Sequence, residues 1–431
     1  MKSTVKNLSD TKVELTITLN AEELAIATEV ATSKLARDVK VAGFRKGKAP
    51  TAVAAKNIDP EKLQEQVIDN AISKAVAEAF VESKLQALDR PAVAIKKYVV
   101  GEMMEFTAET EILPVVKLGD YKKLKSIAEK VSVIETEITE TIGRIQQSLA
   151  ERKEVKRVAK IGDETVIDFV GKKDGVAFPG GTGNDYALTL GSNQFIPGFE
   201  EGIVGHKAGE TFDLDLKFPD DYQSPELKGQ KVTFTTTLKS VKEVKLPELD
   251  DKLAAKAGPF KTMDELKTDI KRELNSQKQR EAGEKLKDSL VTELVGISNV
   301  PIPEILVADQ AKSIEQDFVN NLMYQGATLD QYLENKGFES KEKWLETEVK
   351  DVATKRVQAG LVLAELSKIE KIEATTAELE SRIEMFKQQY ANNADALKQF
   401  EQPEVRRDIA SRLLTDKTVD RLVELNTKKN N

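Results

Sequence analysis

Phe195-Ile196-Pro197-Gly198-Phe199-Glu200-Glu201-Gly202 stands near the middle of a 431-residue chain, in a segment unlike those on either side of it. Twelve of the chain's 23 glycines fall between residues 151 and 246, and short β-type runs fill the gaps between them: Thr165–Val170, Tyr186–Leu190, Phe212–Phe218 and Val232–Leu238. In the third run Phe212, Leu214, Leu216 and Phe218 alternate with polar or charged residues, the period of a half-buried strand. Dense glycine between such runs predicts a small antiparallel sheet with tight turns. Gly180-Gly181-Thr182-Gly183 lacks the Lys-Ser/Thr ending of a phosphate loop and reads as one of those turns.

The flanking segments obey other periods. In residues 1–115, Val13, Leu15, Ile17 and Leu19 alternate as a strand. From Ala21 onward Leu24, Ala27, Ala31 and Leu35 recur at helical spacing, in a helix expected to end near Val41. A second helix is expected over Leu63–Leu85, striped by Val67, Ala71, Ala75 and Ala79. Strands follow near Ala92–Val100 and Met104–Ile112, and Pro114 closes the unit. Residues 116–150 connect. Their helix, Thr136–Leu149, carries Ile138, Ile142, Ile145 and Leu149 on one face and is too short to persist alone, so it needs a partner, expected among the C-terminal helices. Residues 247–431 are helical in pattern. Thr262/Glu265 and Thr375/Glu378 have capping-box spacing, and Leu266, Ile270 and Leu274 mark one face, Ile314, Phe318 and Leu322 another. Trp344–Ile372 reads as one long helix, and Pro403 suits the first turn of the last one. The fold class is therefore multidomain α+β: an α+β domain (1–115), a connector packing with the C-terminal domain (116–150), an antiparallel β domain (151–246) and an all-α domain (247–431).

Composition removes whole chemistries. No cysteine is present, hence no disulfide, thiol nucleophile or Cys-based metal site, and His206 is the single histidine. It lies in a Gly-flanked turn and reads as a surface residue. No cofactor and no metal are expected. The first twenty residues lack a signal peptide's apolar run, and no stretch reads as a membrane span; a cytoplasmic protein is expected.

With 65 basic and 73 acidic residues the net charge is −8, so any nucleic-acid contact must be a local patch. One exists. Between Lys34 and Lys56 seven basic residues face one acidic residue, Asp38, around Gly43-Phe44-Arg45-Lys46-Gly47-Lys48-Ala49-Pro50. Charge alone leaves open an ordinary solvated loop; an aromatic beside Arg and Lys suits docking on phosphate-rich RNA or an acidic protein surface.

That octapeptide resembles the GFRxGKxP signature of the bacterial trigger factors, ribosome-associated chaperones, and the order of basic-loop domain, glycine-rich β domain and helical tail resembles the family over essentially the whole chain. The resemblance implies that Phe44, Arg45 and Lys46 contact the large ribosomal subunit near the polypeptide exit tunnel, protein and rRNA alike, while Gly43, Gly47, Lys48 and Pro50 shape the loop. It also implies binding of unfolded nascent chains and a homodimer in the free state, with neither DNA nor membrane as partner. The FIPGFEEG run, with the aromatics around it, is similar to an FKBP-type peptidyl-prolyl isomerase domain, an antiparallel sheet with a short helix. That likeness implies a pocket of Phe169, Phe178, Tyr186, Phe195, Ile196, Phe199, Tyr222 and Phe234, with Phe195 either lining it or capping it from outside. Two departures stand out: Phe199 where many such domains carry Trp, and Pro179 where they carry Asp. The alternatives are a stand-alone cytosolic isomerase and a holdase without catalysis.

Overall fold

Every second residue of one strand, Val13, Leu15, Ile17 and Leu19, is buried in the computed structural model, which describes residues 1–39, 44, 50–222, 224, 227–391 and 393–427. β1 (Lys2–Asn7), β2 (Lys12–Leu19), β3 (Ala92–Val99) and β4 (Met103–Glu111) form an antiparallel sheet in the order β1-β2-β4-β3. Alternation turns one face of β2 and β4 onto α1 (Ala21–Ala36) and α3 (Pro60–Glu82); the single turn α2 (Thr51–Ala54) lies between those helices in sequence. Alanines at 27 and 31 on α1 and at 71, 75 and 79 on α3 share this core. α1 opens on a capping box, Asn20 Oδ1 accepting from Glu23 N–H at 3.1 Å and Glu23 Oε2 from Asn20 N–H at 2.8 Å. It ends at Ala36, short of the expected Val41, because the chain turns there and Val39 packs with Ala54 and Ile58. α3 starts three residues before the expected Leu63: Asp59 Oδ1 accepts from Glu61 N–H at 3.0 Å and Pro60 occupies the first turn. Its far end is a Schellman turn, with Leu85 N–H on Phe80 O and Lys84, at φ 53°, donating to Val81 O.

Contacts divide the chain into two units, residues 130–282 and residues 1–129 with 283–431. In the first, the stripe of α4 (Glu135–Ser148) meets its partner: Ile138 and Ile142 are buried with Ala254, Leu266 and Ile270, from α6 (Asp251–Ala257) and the start of α7 (Met263–Ile297). Lys278 clamps the same helix, 2.6 Å from Glu137 and 2.9 Å from Ser132 O. The rest of this unit is the sheet β5 (Glu151–Glu154), β6 (Glu164–Lys173), β7 (Val176–Thr189), β8 (Thr211–Lys217) and β9 (Lys231–Lys245), with α5 (Phe199–Ile203) against it. β9 lies along β6 by one edge and takes β8 and then β5 along the other. One expectation fails here. Gly180–Gly183 is no turn but part of β7, because Asp174 (φ 51°) and Gly175 (φ 82°) already close a two-residue hairpin after β6.

In the second unit, residues after 282 build α8 (Glu304–Tyr324), α9 (Leu329–Lys336), α10 (Lys341–Trp344), α11 (Lys350–Ile369), α12 (Thr376–Gln389), α13 (Ala394–Gln399) and α14 (Pro403–Thr427). The expected helix Trp344–Ile372 ends at Ile369 and is interrupted by a π-helical turn at Leu345–Val349. Leu286, Leu290 and Leu294 of α7 join Val362, Leu366 and Leu422 in a core that also buries Val116 and packs Leu118, Tyr121 and Leu124 of the connector. Thr375 and Glu378 form the complete capping box, whereas Glu265 returns to Lys261 N–H rather than to Thr262 N–H. Among the described residues no helix is long and apolar enough to cross a membrane.

Candidate functional site

Two places gather the sequence-derived residues. At the basic loop, Phe44 is 47% exposed, and Pro50 O accepts from Val53 and Ala54 N–H to open α2. Gly43, Arg45, Lys46, Gly47 and Lys48 lie outside the described residues.

The aromatic constellation converges. Phe169 comes from β6, Phe178 and Tyr186 from β7, Phe195 and Ile196 from the segment before α5, Tyr222 from the segment after β8, and Phe234 from β9. Together they line a cavity of about 580 Å³. Phe169 stands edge-on to Tyr186 at 6.0 Å and to Phe195 at 5.2 Å, and Phe178 edge-on to Phe234 at 5.9 Å, the offset geometries that ring quadrupoles favour. Phe195 is inside, stacked at 4.2 Å on Phe199. Phe199 itself does not line the cavity. It is fully buried beneath, edge-on to Phe234 at 5.2 Å and to Phe169 at 5.9 Å, so it supports the floor from below. Where Phe169 meets β7, its partner is Gly183, and a Cβ there would come within 2.6 Å of the Phe169 ring. Glycine at 183 is thus space for an aromatic.

Gly180, Gln194, Pro197, Ser224 and Leu227, with Phe218 and Pro219, complete the wall. No carboxylate, lysine or histidine is among the described lining residues. Asp168 points away from the cavity; it accepts from Asp185 N–H at 2.7 Å and pairs with Lys239 at 2.8 Å, and that lysine holds its carboxyl below the ordinary value. His206 donates or accepts at Glu210, 2.8 Å away, and stacks on Phe212 outside the cavity. Glu200, quoted in the octapeptide without a role, is a buried carboxylate under the segment that carries Gln194 and Phe195.

An aromatic cavity between an antiparallel sheet and the segments before α5 and after β8, without acid, base or metal ligand in its described lining, fits a prolyl isomerase of the FKBP class. The FKBP-type peptidyl-prolyl cis-trans isomerase model matches residues 155–239; bacterial trigger factor models match residues 1–145 and, for the C-terminus, 262–424. Trigger factor of Streptococcus mutans is 36% identical over 95% of this chain and 96% of its own length, and that of Carboxydothermus hydrogenoformans 36% identical over 98% and 99%. A solved trigger factor chaperone, from work on promiscuous substrate recognition in folding and assembly, superposes with a TM-score of 0.56 at 23% identity, covering 98% of this chain and 99% of that one. The chain belongs to the trigger factor family, chaperones with an FKBP-type isomerase domain.

Proposed function

We propose that this chaperone docks on the large ribosomal subunit beside the exit tunnel, touching protein and rRNA, and shelters unfolded nascent chains while isomerising their X–Pro bonds. The observation that carries docking is Phe44, 47% exposed within a segment of seven basic residues and one acidic residue. Phe44, Arg45 and Lys46 make the contact; Gly43, Gly47, Lys48 and Pro50 shape the loop. Residues 1–115 dock, 116–150 connect, 151–246 isomerise and 247–431 hold clients. Met323 and Tyr324, at the end of α8, are 69% and 91% exposed, and flexible thioethers adapt to varied apolar partners. Such a protein works in the cytoplasm, partly ribosome-bound, and pairs with a second copy when free.

At the isomerase site the work is done without proton transfer. Rotation about X–Pro meets a barrier of ~18–20 kcal/mol because amide resonance must be broken. The twisted amide is less dipolar than the planar one, so a pocket of Phe169, Phe178, Tyr186, Phe195, Ile196, Tyr222 and Phe234, supported by Phe199, favours it over water.

Replacing Phe44, Arg45 and Lys46 together by Ala is expected to abolish co-sedimentation with ribosomes while leaving the isomerase rate unchanged. Wild-type binding falls as salt is raised, since phosphate contacts release counterions. Undiminished co-sedimentation of the triple variant would sink the docking assignment.

A further inference from the structure

Glu200 is 4% exposed, and among the described residues no cation stands against it. Burying a lone carboxylate is costly unless other groups replace its water. Here the chain's own backbone does so. Oε2 accepts from Gly191 N–H at 2.7 Å and Asn193 N–H at 3.1 Å; Oε1 accepts from Gln194 N–H at 2.8 Å, Phe195 N–H at 3.3 Å and Ser192 Oγ at 3.3 Å. Gly191 (φ 92°) and Asn193 (φ 56°) are both left-handed, which turns N–H groups of the segment toward one point and makes an anion-binding nest. The anion in this nest is a side chain of the same domain. Burial pushes the Glu200 carboxyl up, but the four N–H donors outweigh it and hold it below the ordinary value.

Position makes this more than a fold contact. Gln194 and Phe195, two of the residues held, line the isomerase cavity, and Ile196 follows them. Glu200 itself follows Phe199, on which Phe195 stacks at 4.2 Å. One carboxylate thus sets the wall of the pocket against its floor. Without the charge, four N–H groups would lose their common acceptor, and residues 191–195 would have no reason to keep this curl.

We propose that Glu200 is a positioning residue for prolyl isomerisation, its ionised carboxylate fixing residues 191–195 so that Gln194, Phe195 and Ile196 grip the twisted amide. This rests on the pocket reading above. Glu200→Gln keeps the size but sets an NH2 against N–H donors; Glu200→Asp keeps the charge one methylene short.

The test is steady-state isomerisation of a short proline peptide by the full chain. Thr165→Val serves as a control: it removes a buried hydrogen bond to Leu188 O, 2.9 Å, in the same sheet but away from the segment. Glu200→Gln is expected to lower kcat by about tenfold or more with KM within about twofold, and Glu200→Asp to recover part of the loss. Thr165→Val should lose stability without that loss of kcat. In the wild-type chain the amide resonances of Gly191, Asn193, Gln194 and Phe195 should titrate together, with one midpoint below the ordinary carboxylate range. A folded Glu200→Gln chain with wild-type kcat, or with a loss no larger than that of Thr165→Val, overturns the proposal. If Glu200→Gln does not fold, the wild-type amide titration and the kcat of Glu200→Asp decide: separate midpoints, or an Asp variant with wild-type kcat, overturn it. A wild-type chain that leaves the peptide unisomerised overturns the pocket reading instead.

Discussion

Asn426 and Tyr121 stand 305 residues apart in the chain, and Asn426 Nδ2 donates to the Tyr121 carbonyl at 3.0 Å. The same amide's Oδ1 accepts from Leu124 N–H at 3.0 Å. Around them Tyr121 Oη donates to Glu370 at 2.8 Å, while Glu293 accepts from the backbones of Lys125 and Ser126. A stretch of connector without helix or strand is therefore held by side chains from α7, the end of α11 and α14, which supply the partners its backbone would otherwise lack.

Asn426→Ala removes that clamp and leaves Leu124 N–H and Tyr121 O unpaired, at a cost of about 1–3 kcal/mol. Chemical unfolding of the full chain should show the loss, and hydrogen exchange at residues 121–126 should quicken. The isomerase rate should not change, since the cavity belongs to the other unit.

Gly183→Ala would place a Cβ within 2.6 Å of the Phe169 ring and force that ring toward the cavity. The expected result is a fall in kcat/KM of about tenfold, or ~1.4 kcal/mol. Gly143→Ala is the contrast: nothing lies within 4 Å of its Cβ on α4, so it should stabilise by about 0.4–1 kcal/mol and leave activity alone. Equal activity in the two variants would contradict the role given to Gly183.

Tyr222 and Phe199 separate the lining of the pocket from its support. Tyr222 is 36% exposed, its ring 4.5 Å from Phe218, so Tyr222→Ala should slow isomerisation severalfold with little change in unfolding. Phe199→Ala empties a fully buried site and should cost about 3–5 kcal/mol of stability as well as activity. Thermal unfolding and peptide isomerisation on the same preparations distinguish the two.

Acid should loosen α12 from α14. Lys417 Nζ lies 2.6 and 2.8 Å from the Glu378 oxygens, and Thr375 donates to the same carboxylate, so Lys417 first and Thr375 second pull it from an ordinary 4.5 down to about 2. A folded value below the unfolded one stabilises above pH 4.5 and loses that contribution as pH falls toward about 2. The stability difference between wild type and Lys417→Met should hold steady above pH 4.5 and close below it; a difference independent of pH would refute the pairing.

Much of this was legible in the residues because it depends on neighbours in sequence. The alternation Val13–Leu19 is the pleat of β2, and the stripes on α1, α3 and α4 are the helix repeat, so strand, helices and buried faces follow from local geometry. The pocket around FIPGFEEG was legible only through the likeness of its aromatics to an FKBP-type domain, because large apolar side chains at such spacing suit a plain core equally well. Tertiary structure decided what depends on distant partners. Gly180–Gly183 became strand because β6 pairs with it and Phe169 needs the space above Gly183. Phe199 went beneath the floor because three rings close over it. Glu200, an unremarkable acid on a short helix, became the anion of a nest only when residues 191–195 folded back over it, and Asn426 reached Tyr121 only when the helices closed. Periodicity records which side of an element is buried. It carries no record of which backbone N–H will lack a partner until the chain has folded, and those N–H groups chose both of these side chains.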